Sequence, residues 1–267
     1  MKKLSIIIPA YNAHDTIVKT LESIAVQILE YDFEVLIVND ASDYFYKDIV
    51  SRFSKFFDIK ELILEKNGGP GVARKEGLKN TISEYVMFID ADDYFYSSYS
   101  VQILLDNIIH YDSDLLISNF RYERDNKIKV MSKDLVFLHG KIYRRKFLID
   151  NNVTFNDTRA NEDNGFNRLI LLLGAKVTFL DEITYVYQEN SKSITRRNNR
   201  KYKLTGLEWF AYNMKWAIDN SINRINDKSN VYLLTLNTLT SMYCYYIDLY
   251  DDFDVECILK WSKDLYI

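Results

Sequence analysis

The sequence predicts an α/β fold in which a mostly parallel sheet is flanked by helices and followed by a helical C-terminal extension. Short apolar runs alternate with longer segments of helical periodicity over the first 120 residues, which is typical of strands joined by crossover helices. Two of the apolar runs end in acidic turns, which places polar side chains at the carboxyl edge of the sheet. From about residue 201 onward, only helical periodicity remains.

Five apolar runs are predicted as the main strands because they have the length and residue types of buried strands. They are Leu4–Ile8, Phe33–Val38, Ile59–Leu64, Val86–Ile89 and Leu115–Ser118. The first run follows two lysines and imitates a secretory signal, but Pro9 and the polar residues after it end the run too soon. Pro9 also ends the first strand, since it lacks the N–H that a central ladder needs.

Helices are predicted where apolar residues recur at three- and four-residue spacing. They cover about residues 15–30, 44–57, 70–81, 98–109 and 162–173. The segment 120–130 alternates apolar and charged residues, as an edge strand does. Residues 176–180 and 183–187 are interpreted as two further short strands.

The composition limits the classes of function. With 267 residues, of which 48% are hydrophobic and 27% are charged, the chain can bury a full core. A net charge of −4 argues against a protein that coats nucleic acid. Cys244 and Cys257 form no metal-ligand pattern, and the expected location is the reducing cytoplasm, free or peripherally at the inner face of the membrane. No apolar run approaches the roughly 18 residues that a membrane-spanning helix needs.

Asp90, Asp92 and Asp93 follow the fourth strand directly. Three carboxylates so close together repel one another beside an apolar strand unless a cation neutralises them. Hard Mg²⁺ or Mn²⁺ takes oxygen ligands, commonly one or two protein carboxylates together with phosphates of a ligand. The cluster therefore predicts a divalent metal that carries a phosphorylated ligand, with a solvated acidic turn as the simpler alternative.

A glycine-rich turn, Asn67-Gly68-Gly69-Pro70-Gly71-Val72-Ala73-Arg74, opens the third helix. Backbone N–H groups at a helix start attract anions, which favours a phosphate site. The turn lacks the Gly-Lys-Ser/Thr ending of a nucleoside-triphosphatase loop, and Arg74 stands where a dinucleotide motif has its third glycine. Pro70 in the first turn and the glycines before it also suit a tight helix entry, which leaves Arg74 unexplained.

Two segments are basic, and one pair is acidic. The segment 140–145 contains Lys141, and the polar loop 191–197 contains Arg196 and Arg197. Asn161, Glu162 and Asp163 open the predicted helix 162–173. A capping Asn161 and the helix dipole fully explain the two carboxylates, so a functional site is the second interpretation there.

Five motifs occur in the chain with the predicted strands between them. They are Ile7-Ile8-Pro9-Ala10-Tyr11-Asn12, Val38-Asn39-Asp40-Ala41-Ser42, Asn67-Gly68-Gly69 with Ala73-Arg74 and Gly77, Phe88-Ile89-Asp90-Ala91-Asp92-Asp93, and Asn161-Glu162-Asp163. On these motifs, the chain resembles the inverting family 2 glycosyltransferases across residues 4 to about 197. The resemblance implies a Rossmann-like GT-A domain over residues 1–200, with nucleotide-sugar binding in about 1–119 and the acceptor side in about 120–200. Residues 201–267 would be the helical extension.

The resemblance also implies a UDP-sugar donor, a Mn²⁺ or Mg²⁺ ion, a saccharide or glycan acceptor that can be lipid-linked, and a role in surface polysaccharide or glycan assembly. Asp40 would accept the imide N–H of uracil, Asp92 would ligate the metal, and Asp163 would be the general base for an inverting attack by an acceptor hydroxyl. The remaining donor-site residues that it implies are Pro9, Ala10, Tyr11, Asn12, Asn67, Gly69, Arg74, Asp90, Ala91, Lys141, Arg196 and Arg197.

Two departures from the family pattern accompany these expectations. Asn39 and Ala41 stand where the family usually has Asp and Gly, and the loop after Tyr187 lacks the histidine that some members use as a metal ligand. The alternatives are an inactive nucleotide-sugar-binding protein of the same fold, a phosphatase of the haloacid dehalogenase type and a sugar nucleotidylyltransferase. The phosphatase normally carries its Asp-x-Asp after the first strand, whereas here it follows the fourth, and the glycine-rich signature of the nucleotidylyltransferases is missing.

The helical tail carries an apolar stripe whose role the sequence leaves open. The stripe consists of Leu204, Leu207, Phe210, Met214 and Ala217. It predicts either core or homodimer packing, or, together with nearby aromatic residues and lysines, a surface that touches a membrane or a lipid-linked acceptor.

Overall fold

The computed structural model describes residues 2–124, 127–188 and 200–249, and the strands of this part of the chain form one sheet. The strands are β1 Leu4–Ala10, β2 Phe33–Asn39, β3 Asp58–Ile63, β4 Tyr85–Phe88, β5 Tyr94–Phe95, β6 Leu115–Arg124, β7 Lys127–Met131, β8 Lys141–Arg144 and β9 Val177–Gln188. The helices are α1 His14–Ala25, α2 Lys47–Phe53, α3 Pro70–Lys79, α4 Ser100–His110, α5 Arg145–Asp150, α6 Glu162–Leu172, α7 Arg200–Asp219 and α8 Ser229–Leu249.

The sheet is parallel on one side and mixed on the other. Its strand order is β3-β2-β1-β4-β8-β6-β9-β5, and β7 pairs with β6 as a hairpin. The first four strands run parallel, β8 runs antiparallel to both of its neighbours, and β6 and β9 are parallel to each other. The amino end of β8 therefore lies beside the carboxyl end of β4.

Alternate residues of the central strands feed two hydrophobic cores, one on each face of the sheet. In β1, Ile6 and Ile8 join the core that contains α1, α2 and α4, whereas Ile7 joins the core that contains α3, α5 and α6. The second core also includes Met214 of α7 and Val231 of α8. The C-terminal helices are therefore packed onto the α/β layer through a shared core.

This architecture confirms the predicted α/β fold with a mostly parallel strand group and C-terminal helices. Met214 and Ala217 of the predicted apolar stripe are buried, which is the core arrangement. In the described ranges, no helix combines the length and the apolar character needed to cross a membrane. The predicted division of the chain at residue 200 stays a prediction.

Four local predictions differ from the structure. The edge strand predicted over 120–130 is divided between β6 and β7, which pair antiparallel. Helix α1 ends at Ala25 instead of residue 30, because Ile28 N–H donates to the Ser98 carbonyl oxygen at 2.7 Å and draws the backbone toward α4. The two short strands predicted over 176–187 are one strand, β9, with a register irregularity opposite Asn119. The segment 140–145, a basic turn expected to lead into a short helix, is β8 followed by α5: the helix is present, but the turn is a strand whose first residue is Lys141.

Candidate active site

The carboxyl ends of β1, β2 and β4 meet at one edge of the sheet. Ala10 is the register partner of Asn39, and Asp40 N–H continues the ladder by donating to the Ala10 carbonyl oxygen at 2.9 Å. Asp90 follows two residues after β4. The first, second and fourth motifs of the sequence are thereby brought together, as the parallel strand pattern predicts.

The loops after β1 and β2 hold each other in place. Asn12 Nδ2 donates to Asp43 Oδ2 at 2.9 Å, and Asp43 N–H donates back to Asn12 Oδ1 at 3.0 Å. Both loops contain a left-handed residue, Asn12 with φ 49° and Ala41 with φ 54°. Tyr11 lies beside this pair and is 54% exposed. Tyr11 is therefore open to a ligand, while Pro9 is partly exposed and Ala10 is buried.

Asp40 fixes the glycine-rich turn. Its two carboxylate oxygens accept the N–H groups of Gly68 at 2.8 Å and Gly69 at 2.7 Å, and Asn67 Nδ2 donates to its carbonyl oxygen at 3.0 Å. Burial raises the pKa of Asp40, and the two N–H bonds oppose that rise. The carboxylate keeps further acceptor capacity on each oxygen. Its contact with a uracil base stays a prediction.

The glycines of this turn serve chain packing. Gly69 has φ +90°, and a Cβ added at Gly71 would lie 2.6 Å from the carbonyl oxygen of Asn156. The start of α3 is thus covered by the segment that leads to α6. Neighbouring Arg159 extends the cover, because its guanidinium donates to Asn67 Oδ1 at 2.8 Å while remaining exposed. Sequence reasoning missed Arg159, which lies outside every motif.

Arg74 is the central cation of the site. Its side chain is 6% exposed, and it donates at 2.5 Å both to Asp90 Oδ1 and to Glu162 Oε1. Burial opposes its charge, but the two carboxylates outweigh burial and raise the pKa of Arg74. Burial would raise the pKa of Asp90, but Arg74 and His139 together outweigh burial and lower it. Arg74 therefore joins the acidic cluster after β4 to the start of α6.

The acidic cluster contains one histidine that sequence reasoning also missed. His139 Nε2 lies 3.9 Å from Asp90 Oδ2 and 3.7 Å from Asp93 Oδ2, and the ligand atoms of the three residues all lie within 4.8 Å of one another. Burial lowers the pKa of His139, which favours the neutral imidazole. Two carboxylates and a neutral imidazole form a donor set that suits Mn²⁺ better than Mg²⁺.

The three carboxylates of the cluster have different surroundings. Asp93 is fully buried and accepts hydrogen bonds from the Tyr185 hydroxyl at 2.6 Å and Gln188 N–H at 2.8 Å. Burial, with the charges of Asp90 and Asp92, raises the pKa of Asp93 well above its usual range. A bound cation would relieve that repulsion, so the cluster fits a metal. Asp90 and Asp92 are both partly exposed and form its open side, with buried Ala91 between them. Asp92, the predicted metal ligand, does not belong to the group of Asp90, Asp93 and His139 whose ligand atoms lie together.

Asp163 lies next to Glu162 at the start of α6 and is partly exposed. Burial and then the charge of Glu162 raise the pKa of Asp163 to about 7, against the opposing effect of Arg74. A carboxyl with a pKa near neutrality can accept a proton at physiological pH. Asp163 thus has the acid–base property that the resemblance implies for it.

The other predicted cations are placed differently. Lys141 is fully buried in β8, where its ammonium donates to the Phe137 carbonyl oxygen and lies 3.3 Å from Asp134 Oδ1. Burial lowers the pKa of Lys141 to about 8. This environment holds the segment before β8 in place, and a phosphate or acceptor contact by Lys141 stays a prediction. Arg196 and Arg197 lie outside the described residues.

Comparison with known proteins gives one family. A model described as glycosyl transferase family 2 matches residues 5–161. Glycosyltransferase GlyA of Streptococcus pneumoniae is 27% identical over 223 residues, which are 73% of this chain and 32% of GlyA. Poly(ribitol-phosphate) β-N-acetylglucosaminyltransferase TarS of Staphylococcus aureus is 30% identical over 204 residues, which are 70% of this chain and 35% of TarS. The chain therefore spans about a third of the length of both relatives.

The fold is also found in a solved structure. S. aureus TarS 1-349 in complex with UDP-GlcNAc superposes with a TM-score of 0.80 at 24% sequence identity, covering 98% of this chain and 79% of that chain. The likeness extends over the α/β layer and the described C-terminal helices together. It agrees with the GT-A architecture that the five motifs imply.

Proposed function

Since the chain belongs to glycosyl transferase family 2, we propose that it transfers a sugar from a uridine diphosphate sugar to a hydroxyl of a cell-surface glycan, with inversion at the anomeric carbon. The observation that carries this proposal is Asp163, a partly exposed carboxyl whose pKa is raised to about 7 beside the Arg74 network. TarS, with its UDP-GlcNAc complex, supports UDP as the carrier.

The donor is assigned to the edge formed by β1, β2 and β4. Tyr11 is exposed where a uracil ring would stack, and Asp40 has acceptor capacity left for its imide N–H. Asn67, Gly69 and Arg159 border the same space. The diphosphate would then extend from this pocket toward the acidic cluster.

A divalent cation, Mn²⁺ or Mg²⁺, would be held by Asp92 and Asp90 on the open side of the cluster. Asp93 is the weaker candidate for direct ligation because Tyr185 and Gln188 already bond both of its oxygens. Asp93 and His139 would instead lie next to the metal ligands Asp90 and Asp92 and fix their orientation. The cation would supply charge neutralisation for the departing diphosphate.

Asp163 takes the proton of the acceptor hydroxyl while that oxygen attacks the anomeric carbon from the side opposite the diphosphate. One displacement inverts the configuration, and the proton ends on the carboxylate of Asp163. The buried Arg74–Glu162 pair keeps this carboxylate next to the donor side. No covalent intermediate on the protein is required.

Purified protein incubated with UDP-GlcNAc, UDP-glucose or UDP-galactose, Mn²⁺ and a cell-surface glycan preparation as acceptor tests the proposal. We expect release of UDP from at least one donor, and titration calorimetry should detect UDP binding that EDTA weakens. Absence of UDP binding in both conditions would overturn the proposal. The alternative of an inactive binding protein predicts binding without turnover of any donor.

The acceptor is proposed to be a saccharide or glycan of the cell surface. Contact of the C-terminal helices with a membrane or with a second copy of the chain stays a prediction, and Tyr232, Leu233 and Leu236 of α8 are exposed by 55–61%. Vesicle co-sedimentation and sedimentation velocity would separate the two contacts.

A further inference from the structure

Helix α7 of the C-terminal extension reaches the active-site region through one buried side chain, Asn213. Asn213 is fully buried, and its Nδ2 donates to the Thr158 hydroxyl at 2.8 Å and to the Ala160 carbonyl oxygen at 3.3 Å. Both acceptors belong to the segment 156–161, which runs directly into Glu162 and Asp163. A residue of the extension therefore bonds the backbone that presents the proposed base.

Helices α6 and α7 approach each other closely at the same point. A Cβ added at Gly165 would lie 2.9 Å from Asn213 Oδ1 and 3.1 Å from Asn213 Cβ. A second contact lies one turn earlier, where Asn161 Nδ2 donates to the Gly206 carbonyl oxygen at 3.0 Å. Because Gly165 has no side chain, α7 can approach α6 closely enough for the Asn213 amide to reach the segment 156–161.

The segment 156–161 also bonds the donor side. Arg159 donates to Asn67 on the glycine-rich turn, and Asp157 accepts from Lys75 of α3 at 2.9 Å. In both contacts the side chain from the segment is exposed, and its partner is partly buried. Exposed polar pairs contribute little to holding a chain in place, whereas an unsatisfied buried polar group is costly. The buried Asn213 contacts are therefore the stronger anchor.

We propose that Asn213 is a positioning residue that holds the segment 156–161. In this position, Arg159 reaches the glycine-rich turn while Asp163 faces the acceptor hydroxyl. The proposal rests on the proposed function and adds that α7 is part of the catalytic apparatus. Replacement of Asn213 leaves the Thr158 hydroxyl and the Ala160 carbonyl oxygen without their buried donor. The start of α6 then shifts, and small displacements of a catalytic group lower turnover steeply.

The test compares Asn213→Ala, Thr158→Val, the double variant and Ser221→Ala in the full chain. Ser221 is a matched control because it is fully buried just after α7, and its hydroxyl donates only to the Ile218 carbonyl oxygen, at 3.1 Å, among the described contacts. We expect Asn213→Ala to lower kcat for UDP-sugar turnover at least about tenfold. The acid limb of its pH–rate profile should also shift, whereas Ser221→Ala should change neither property.

Coupling separates positioning from general stability. If Asn213 acts through Thr158, the double variant should turn over no more slowly than Asn213→Ala alone. Additive losses, or an unchanged kcat in Asn213→Ala, would overturn the proposal. Hydrogen exchange of residues 156–161 gives a second measurement that needs no turnover: it should accelerate in Asn213→Ala but not in Ser221→Ala. If the parent protein turns over no donor, the proposed function fails while the exchange result still decides the role of Asn213.

Discussion

Arg74 and Glu162 are 88 positions apart in the chain, yet Arg74 Nη1 lies 2.5 Å from Glu162 Oε1 in the buried centre of the site. The same guanidinium holds Asp90, so one cation spans the donor side and the helix that carries Asp163. Glu162 has two effects on its neighbour: it fixes the helix start through Arg74, and its charge raises the pKa of Asp163.

Glu162→Gln should move the acid limb of the pH–rate profile to lower pH. Asp163 acts as a base only when deprotonated, so the rate of the parent protein should rise as the pH passes through about 7. Removing the negative charge of Glu162 stabilises the ionised form of Asp163 and leaves Arg74 less neutralised, and both effects lower that pKa. Donor turnover between pH 5 and 9 measures the shift. Glu76→Gln on α3 is the control, and an unmoved limb in Glu162→Gln would contradict the prediction.

Arg74→Met should lower the free energy of unfolding by about 3–5 kcal/mol, because it leaves the buried carboxylate of Glu162 and the half-buried Asp90 without their cation. Urea unfolding measures the loss. Arg74→Lys, which keeps the charge but cannot bond both carboxylates in the same geometry, should lose less. A change below about 1 kcal/mol in Arg74→Met would place the pair among weak surface contacts.

Asp163→Asn should slow sugar transfer by about two to four orders of magnitude, the usual contribution of a general base. Affinity for UDP should remain within about twofold, since nothing in the proposed nucleotide pocket changes. Steady-state turnover tests the expected loss of transfer rate, and titration calorimetry tests the unchanged affinity for UDP. Equal transfer rates in the variant and the parent would remove Asp163 from the mechanism.

Asp92→Asn should weaken UDP binding about tenfold or more in Mn²⁺, but little in EDTA, because it removes a coordinating charge and leaves the base pocket intact. His139→Ala provides the comparison. If the metal binds on the open side of the cluster, His139→Ala should lose less UDP affinity in Mn²⁺ than Asp92→Asn does. The reverse order would assign the ion to the set of Asp90, Asp93 and His139.

Arg159→Ala should weaken UDP binding about fivefold, since its guanidinium orients Asn67 over the turn that Asp40 holds. Lys66→Ala is the control, because Lys66 is an exposed cation on the same turn. Titration calorimetry with UDP compares the affinities of the two variants. Similar losses in both variants would indicate a general charge effect instead of a specific contact.

The parallel part of the fold and its ligand edge could be predicted from the sequence. Buried apolar runs that end in polar residues define β1, β2 and β4, and their parallel pairing brings Asp40 and Asp90 to one edge. Local patterns suffice there because consecutive strands run in the same direction. Arg74 was also identified, because a tight helix entry explains the glycines and Pro70 but does not explain this cation.

His139 could not be found in that way. In a purely parallel sheet, a residue that precedes a strand lies at the edge opposite the ligand, but β8 runs antiparallel to β4 and brings its amino end to Asp90. The pairing of Glu162 with Arg74 was missed for a related reason: capping and the helix dipole explained the carboxylate completely, and only the tertiary structure supplies its partner. A signal for His139 was its position directly before the basic segment 140–145.

The hydrophobic core beneath α3 and α6 contains Ile7 and Phe88 of the sheet together with Met214 of α7 and Val231 of α8. Because these side chains share one buried cluster, the sheet cannot lose its order while the last helices keep theirs. Unfolding should therefore be cooperative across both parts, with a single calorimetric transition. A fragment that ends before α7 would expose the face of α6 that packs against α7, and it should aggregate instead of folding as an independent nucleotide-binding unit.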